Sequence, residues 1–403
     1  MKCLLVLLSL AAFLWTTCVY AEPHSFVLSD RETNENLSEF KLSSTNLKTS
    51  SKHKWSVRKK TLRGGRQEGV EIIEVDNGKL SFSVIPTRGM SIYQVQAGDV
   101  TLGWQSPVKE IVNPSFINLD RFGGLGWLDG FNEMMVRCGF EWAGHPGDDG
   151  GRMLSLHGLA GNIPASKVEV IVDDKPPHRI QIRGRVEEKT FKFSDYEMWT
   201  EISTVPGSLK FKLSDTLTNL SDYEREYQLI YHGNFGPPLL EKDAEFVCAA
   251  KQVTPFDDFA AEHIDSWTTY LGPTKNFGEQ VYNVVPYADA DGNTLTMLRK
   301  ADGSRGVSLS FNTNELPRLA LWKNTETLKE GYVTGLEPTT SFPYTRSIER
   351  EHGRVPTLAA GASQSFHLEY GVLLTDKQVA ATAAEINSIR DGRSTKVDRK
   401  PAQ

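Results

Sequence analysis

The sequence predicts a mainly β protein whose body is one large antiparallel β-sandwich. Short segments of alternating apolar and polar residues recur along the chain, turn residues separate them, and helical periodicity is rare. Clear examples of such segments are 167–172, 180–186, 196–202, 209–217, 227–231, 294–298, 307–311, 318–322 and 365–373. The absence of a phosphate-binding glycine loop, a dinucleotide-binding fingerprint and a fixed-period repeat argues against nucleotide-binding α/β folds and propellers.

The first 21 residues are typical of a signal peptide. Lys2 supplies a positive charge, an apolar run covers Leu4–Trp15, and Val19–Ala21 places small residues where signal peptidase cleaves. The run is too short to span a bilayer. We therefore expect cleavage after Ala21, an exported protein in the periplasm or outside the cell, and no integral membrane segment after cleavage.

The next segment, residues 22–54, is rich in Ser, Thr, Asn and Lys and has few large apolar residues. This composition predicts a flexible polar arm, or a strap across the main domain. A regular β pattern begins at Trp55 and continues to residue 375, which bounds the sandwich domain. Its first two strands, Val70–Val75 and Leu80–Ile85, flank an Asp-Asn-Gly turn and predict a hairpin.

The C-terminal segment, residues 376–403, predicts one helix and a polar tail. Asp376 is a candidate N-cap, and Gly392 is a stop signal. Apolar residues recur between them at helical spacing, namely Val379, Ala383, Ile386 and Ile389.

Charge and cysteine content limit the function classes. The 403-residue chain carries a formal net charge of −6, and it lacks the basic stripe that a nucleic-acid partner requires. Cys138 and Cys248 remain after signal cleavage. Two cysteines cannot form a disulfide scaffold, but they can form one bridge or be buried as thiols.

Three ionisable residues end apolar stretches beside Gly or Pro. They are His157 before Gly158, His232 before Gly233, and Glu337 before Pro338. Such positions hold side chains rigidly at the rim of a sheet, where ligands bind. Each residue taken alone is more typical of a structural role, so the interest lies in the set.

This set resembles the aldose 1-epimerase (galactose mutarotase) superfamily, and within it a divergent branch of uncharacterised proteins, a domain-of-unknown-function family. The resemblance covers about residues 60–375 and rests on motifs in a fixed order, Pro86–Met90, Arg137–Gly139, Leu156–Gly158, Tyr231–Phe235 and Gly335–Thr340. It implies a galactose mutarotase-like supersandwich as the fold. It also implies a sugar or sugar derivative as the ligand.

The resemblance assigns Glu337 as the base, His232 as the acid, and His157 as the residue that orients the sugar. Interconverting two sugar anomers needs one group to take the C1 hydroxyl proton and another to protonate the ring oxygen. A carboxylate and an imidazole suit these tasks, and no metal or redox cofactor is required.

Four further residues are predicted to bind the substrate: Arg88, Asn132, Arg137 and Asn234. Arg88 is the strongest of them, because a guanidinium donates two parallel hydrogen bonds to hydroxyls or a carboxylate. A salt bridge at a hairpin end is an equal alternative for it. Four tryptophans are candidates for sugar stacking, although core packing is favoured for most; they are Trp104, Trp127, Trp142 and Trp322.

Two alternatives stay open. A metal could be held by His145, Asp148, Asp149 and His157, but the spacing fits no standard site, and a turn is favoured. The protein could also be a non-catalytic carbohydrate-binding protein, or another carbohydrate-active enzyme on the same fold. A hydrolase would require a second carboxylate as partner of Glu337.

Overall fold

Two large β-sheets, packed face to face, form the body of the protein. The structure is a computed structural model that describes residues 23–402, so the predicted signal peptide over residues 1–21 lies outside the described residues. One sheet has ten strands and the other has thirteen. The mainly β, antiparallel sandwich predicted from the sequence is confirmed.

The strands and helices of the described residues follow in chain order. The strands are β1 His24–Asp30, β2 Glu35–Asn36, β3 Phe40–Ser43, β4 Ser56–Thr61, β5 Glu71–Asp76, β6 Ser81–Ile85, β7 Ser91–Ala97, β8 Val100–Leu102, β9 Met135–Cys138, β10 Gly147–Asp149, β11 Arg152–Leu154, β12 Lys167–Val172, β13 Ile180–Lys189, β14 Asp195–Thr204, β15 Lys210–Asn219, β16 Arg225–Glu226, β17 Ile230–Phe235, β18 Glu245–Cys248, β19 Ala250–Pro255, β20 Gln280–Pro286, β21 Asn293–Arg299, β22 Gly306–Asn312, β23 Arg318–Asn324, β24 Val333–Thr339, β25 Thr357–Leu358, β26 Ser363–Leu373 and β27 Lys396–Val397. The α-helices are α1 Ser44–Leu47, α2 Arg121–Gly124, α3 Asp258–Glu262, α4 Arg346–Glu351 and α5 Asp376–Arg390, and the 3-10 helices are Gly65–Gln67, Pro86–Arg88, Pro114–Phe116, Gly126–Gly130, Ala160–Asn162 and Ile264–Ser266.

The ten-stranded sheet has the order β18-β21-β22-β26-β15-β14-β13-β12-β1-β2. The thirteen-stranded sheet has the order β27-β19-β20-β23-β24-β17-β9-β7-β6-β5-β4-β3, with β8 paired to β7. The alternating sequence pattern arises because successive side chains of a strand point to opposite faces, so only one face packs in the core. In β12 every second residue is buried.

The N-terminal segment differs from the predicted flexible arm over residues 22–54. Strand β1 pairs with β12 in the ten-stranded sheet, and β3 pairs with β4 in the thirteen-stranded sheet. Leu28 and Leu42 are buried in the core between the sheets. A few apolar residues are enough to order this segment, because backbone hydrogen bonds hold its strands in the two sheets and every residue type except proline can donate them.

The predicted C-terminal helix is α5. Val379 and Ile386 are buried against the outer side of the ten-stranded sheet, where they pack with Met297 and Leu373. The hydroxyl of Thr375, rather than Asp376, caps the helix by accepting from the backbone N–H of Gln378 at 3.2 Å. The polar tail then adds β27 in parallel to β19.

The two cysteines are separate, buried thiols. Cys138 lies on β9 and Cys248 on β18, so they belong to different sheets, and they form no disulfide. Burial raises the pKa of both thiols, that of Cys248 to about 12. Among residues 23–402, no helix has the length and apolar character needed to cross a membrane.

Candidate functional site

Strands β17 and β24 bring two of the predicted site residues together. The strands pair antiparallel with Gly233 opposite Leu336 and Asn234 opposite Gly335, a register that places His232 opposite Glu337. Opposed residues of an antiparallel pair share a face and lie side by side. His232 Nε2 is 3.3 Å from Glu337 Oε1.

The pair faces outward from the thirteen-stranded sheet. On β17, Tyr231 points into the core between the sheets, so His232 points to the outer side. An apolar cluster covers this outer side; it comprises Trp127, Phe131, Val136, Cys138, Ala143, Leu156 and Ile230. Segments 113–131 and 139–162 lie over the sheet and carry the residues that complete the site.

His157 reaches the pair from the loop after β11. Its backbone is left-handed, with φ 61°, and is fixed by two hydrogen bonds, from its N–H to Gly144 O at 2.9 Å and from Gly139 N–H to its carbonyl at 3.0 Å. A Cβ at Gly158, with φ +72°, would lie 2.2 Å from the carbonyl oxygen of Trp142. Close backbone packing therefore explains the Leu-His-Gly motif.

Aromatic rings enclose the two histidines. The His157 and His232 ring centroids are 5.2 Å apart. The ring of His232 lies 5.3 Å from Phe131, 5.7 Å from Trp322 and 5.8 Å from Trp127. Trp322 is half-buried, and its indole N–H donates to Glu279 Oε2 at 2.6 Å. The three ionisable side chains thus lie in an aromatic cluster, at whose edge Trp104 and Trp322 are partly exposed.

Burial governs the electrostatics of the site. The exposed fractions of Glu337, His232 and His157 are 2%, 5% and 8%. Burial raises the pKa of Glu337 well above its usual value, and the nearby Glu279 carboxylate adds to the rise. Burial lowers the pKa of His232 to about 4 and that of His157 well below its usual value. Each group is therefore driven toward its neutral form.

The histidine–glutamate contact is close but not aligned as a hydrogen bond. Glu337 Oε1 is buried without a hydrogen-bond partner, although Nε2 of His232 is 3.3 Å away. His157 Nδ1 is also buried without a partner. Buried polar atoms without partners cost free energy, and they are typical of sites that a polar ligand completes.

Arg88 contacts other protein groups and not the histidine–glutamate pair. Its guanidinium is fully buried, and Nε donates to Glu133 Oε1 at 2.6 Å. Nη1 donates to Asn162 Oδ1 at 2.9 Å and to Val112 O at 3.3 Å. Arg88 therefore forms a salt bridge, which was the alternative to substrate binding, and this salt bridge is buried.

Arg137 lies on the opposite side of the sheet from the pocket. It alternates with Val136 and Cys138 on β9, so it points between the sheets, where its Nε and Nη2 bind both carboxylate oxygens of Asp215. Nη1 donates to Met90 O at 2.9 Å. The predicted substrate contact is wrong for this residue because one step along a strand reverses the face.

The two predicted asparagines are committed to protein groups. Asn132 Nδ2 donates to the carbonyls of Val108 and Glu110 at 3.1 and 2.6 Å. Asn234 is fully buried on β17; its Oδ1 is 2.8 Å from His232 Nδ1, and its Nδ2 donates to the carbonyls of Glu133 and His232. Asn234 therefore contacts the site residue His232 directly.

The residues of the alternative metal site are engaged elsewhere. His145 Nδ1 donates to Pro343 O at 2.7 Å, and Asp149 Oδ1 accepts from Arg350 at 2.5 Å. Asp148 accepts from the Gly151 N–H, as a turn residue does. Within residues 23–402, no three His, Cys, Asp or Glu side chains are close enough to hold a metal ion.

The sequence pattern of one family, described as a domain of unknown function (DUF4432), matches residues 67–372. The chain belongs to the DUF4432 family. No protein with a curated description matches this DUF4432 chain.

Solved structures place the DUF4432 chain among galactose mutarotase-like folds. A candidate aldose 1-epimerase from Klebsiella pneumoniae subsp. pneumoniae MGH 78578 is 45% identical, with a TM-score of 0.93, and the match covers 94% of this chain and 99% of that one. A galactose mutarotase-like protein from Clostridium acetobutylicum is 13% identical, with a TM-score of 0.53 and coverage of 79% and 98%. The second likeness shows the fold alone.

Three residues to which the sequence assigned no role lie on the outer face around the DUF4432 site. Phe131 packs on the ring of His232, and its loop has no periodic signal. A Cβ at Gly335 would lie 2.2 Å from Glu337 Oε1, so the glycine makes room for the carboxylate. Asn283 on β20 lies opposite Ala320 on β23, which lies opposite Glu337 on β24, so Asn283 and Glu337 share the outer face. Its Oδ1 is buried without a partner.

Proposed function

We propose that this DUF4432 protein is an aldose 1-epimerase that interconverts sugar anomers by proton exchange at Glu337 and His232. The observation that carries the proposal is the 3.3 Å separation of Glu337 Oε1 and His232 Nε2 on one outer face. Both groups are buried and both have shifted pKa values, as is common for acid–base pairs in active sites. The 45% identical Klebsiella protein, described as a candidate aldose 1-epimerase, supports the same reaction.

The pair holds one proton throughout the cycle. Burial favours the neutral groups, so this proton resides on Glu337 when no sugar is bound. A bound sugar brings hydroxyl groups that solvate the ion pair, and the proton then moves to His232 Nε2.

Ring opening uses this ionic form. The carboxylate of Glu337 takes the proton of O1, the C1=O1 bond forms, the C1–O5 bond breaks, and Nε2 gives its proton to O5. The C1–C2 bond rotates and the transfers reverse, so the other anomer forms and no proton is gained or lost. Each positioned transfer is worth about 10² to 10⁴ in rate.

The remaining walls suit a sugar without an acidic group. Trp322 and Phe131 offer flat apolar surface for the C–H face of a pyranose. His157 Nδ1 lacks a partner and can bind a sugar hydroxyl. Arg88 and Arg137 are paired with Glu133 and Asp215 and do not contact His232 or Glu337, which disfavours sugar acids.

The decisive experiment follows anomer interconversion by NMR saturation transfer across a panel of aldoses, always with a no-protein baseline. We expect the wild type to accelerate exchange and Glu337→Gln to lose about 10² to 10⁴ of that gain. Glu369→Gln, which alters a half-buried carboxylate paired with Lys210 on the other sheet, should exchange like the wild type. Equal acceleration by Glu337→Gln would refute the assignment.

Burial favours the neutral forms of Glu337 and His232, which disfavours the ionic pair needed for turnover and so favours a second candidate, a carbohydrate-binding protein without turnover. Isothermal titration calorimetry with the same aldoses separates the two. Binding that is retained across the panel without accelerated exchange would support the binding protein and exclude the epimerase.

A further inference from the structure

We infer that Asn234 is a positioning residue that holds neutral His232 in the tautomer with hydrogen on Nδ1. The catalytic consequence rests on the proposed epimerase function. The tautomer itself rests on geometry alone and can be measured without any activity.

The hydrogen bonds of Asn234 fix which way its amide points. The two hydrogens of Nδ2 are donated to carbonyl oxygens, that of Glu133 at 3.0 Å and that of His232 at 3.2 Å. The amide oxygen must therefore face Nδ1 of His232, at 2.8 Å. Because a carbonyl oxygen only accepts, Nδ1 must carry the hydrogen.

The opposite arrangement is disfavoured on every contact. Turning the amide over would bring Oδ1 against two carbonyl oxygens and leave them without donors inside a fully buried pocket. Turning the imidazole over would place Cδ2 where Nδ1 lies and leave Asn234 Oδ1 without its hydrogen bond. The site therefore specifies one tautomer.

This tautomer leaves the Nε2 lone pair of neutral His232 free and 3.3 Å from Glu337 Oε1. After ring opening, His232 has given its Nε2 proton to O5 and is neutral. It must take that proton back from the O5 hydroxyl when the ring closes. With hydrogen on Nδ1 this transfer is direct, whereas hydrogen on Nε2 would block it.

The sequence predicted Asn234 to bind the substrate, but the same contacts occupy its side chain. The side chain is fully buried, and both amide hydrogens are already used. We therefore expect its loss to lower kcat and to leave KM nearly unchanged.

The direct test labels the histidines of the full chain with ¹⁵N and records two-bond ¹H–¹⁵N correlations at pH 7. In the wild type, His232 should show a protonated Nδ1 and an unprotonated Nε2. Asn234→Ala removes the acceptor oxygen from Nδ1 and should move the hydrogen to Nε2. A wild-type His232 protonated on Nε2 would overturn the inference, whether or not the variant folds.

Kinetics give the second readout. We expect kcat to fall at least tenfold in Asn234→Ala with KM within twofold. Unchanged kcat in a folded Asn234→Ala protein would overturn the positioning role. If His232 shows the expected tautomer while the wild type accelerates no exchange, the proposed function fails and the structural role of Asn234 remains.

Discussion

Gly335→Ala perturbs the site without removing any functional group. Gly335 lies two residues before Glu337 on β24, and the carboxylate folds back over it. An added Cβ would lie 2.2 Å from Oε1 and 3.1 Å from Cδ of Glu337, and 3.3 Å from the Cβ of Trp322. The main conflict is thus with the carboxylate rather than with the backbone.

The expected loss follows from this distance. Restoring ordinary contact requires Glu337 Oε1 to move by about 1 Å, and a misplacement of this size typically costs about 10² in rate. Such a shift would break the close approach to His232 Nε2. We expect Gly335→Ala to lose about 10² of the accelerated anomer exchange. We also expect the free energy of unfolding to fall by about 1 kcal/mol, because the added Cβ overpacks the site.

Anomer exchange by NMR saturation transfer and urea unfolding together test this expectation. Gly233→Ala on the neighbouring strand is the matched control, because its Cβ would meet Leu336 O at 3.0 Å and Tyr370 OH at 3.2 Å on the inner face, away from the carboxylate. Wild-type exchange in a stable Gly335→Ala protein would refute the claim that the position of Glu337 controls the reaction.

Three other expectations concern pH, the core and the thiols. The pKa of His232 lies at about 4, below its ordinary value of 6.5, so the unfolded chain binds more protons there and acidification destabilises the fold. Urea unfolding at pH 7 and pH 5 should show that the free energy of unfolding falls by about 2 kcal/mol less in His232→Gln than in the wild type. An equal fall in both proteins would contradict the pKa shift. Arg137→Met leaves Asp215 charged, buried and unpaired, so the free energy of unfolding in urea should fall by about 3–5 kcal/mol. The KM for the sugar should stay unchanged in the folded protein. A raised KM would indicate that Arg137 contacts the sugar. Cys138 and Cys248 are buried free thiols, so alkylation without reductant should modify them only in the urea-unfolded chain. Mass spectrometry measures the modification. If neither cysteine reacts after unfolding, the two form a disulfide.

Local patterns in the sequence determined the fold class and the central pair. The alternation of apolar residues located strands such as β12 and β15, since a half-buried strand imposes a period of two. The motifs around His157, His232 and Glu337 reflect backbone constraints that are visible in sequence, as the clash at Gly158 and the contact at Gly335 show. These constraints are local, so the chain itself records them.

The partners of each polar side chain were decided by the tertiary structure alone. An arginine can bind sugar hydroxyls, so Arg88 and Arg137 were predicted as ligands. Each is instead paired with a buried carboxylate, Glu133 or Asp215, that is far from it in the sequence and that no motif marked. His232 and Asn234 share a face because they lie two residues apart on one strand, and the pairing of β17 with β9 and β24 decides that this face is the outer one. A register shift of one residue would exchange the inner and outer sets, and register depends on pairing across the whole sheet, which no short segment of sequence encodes.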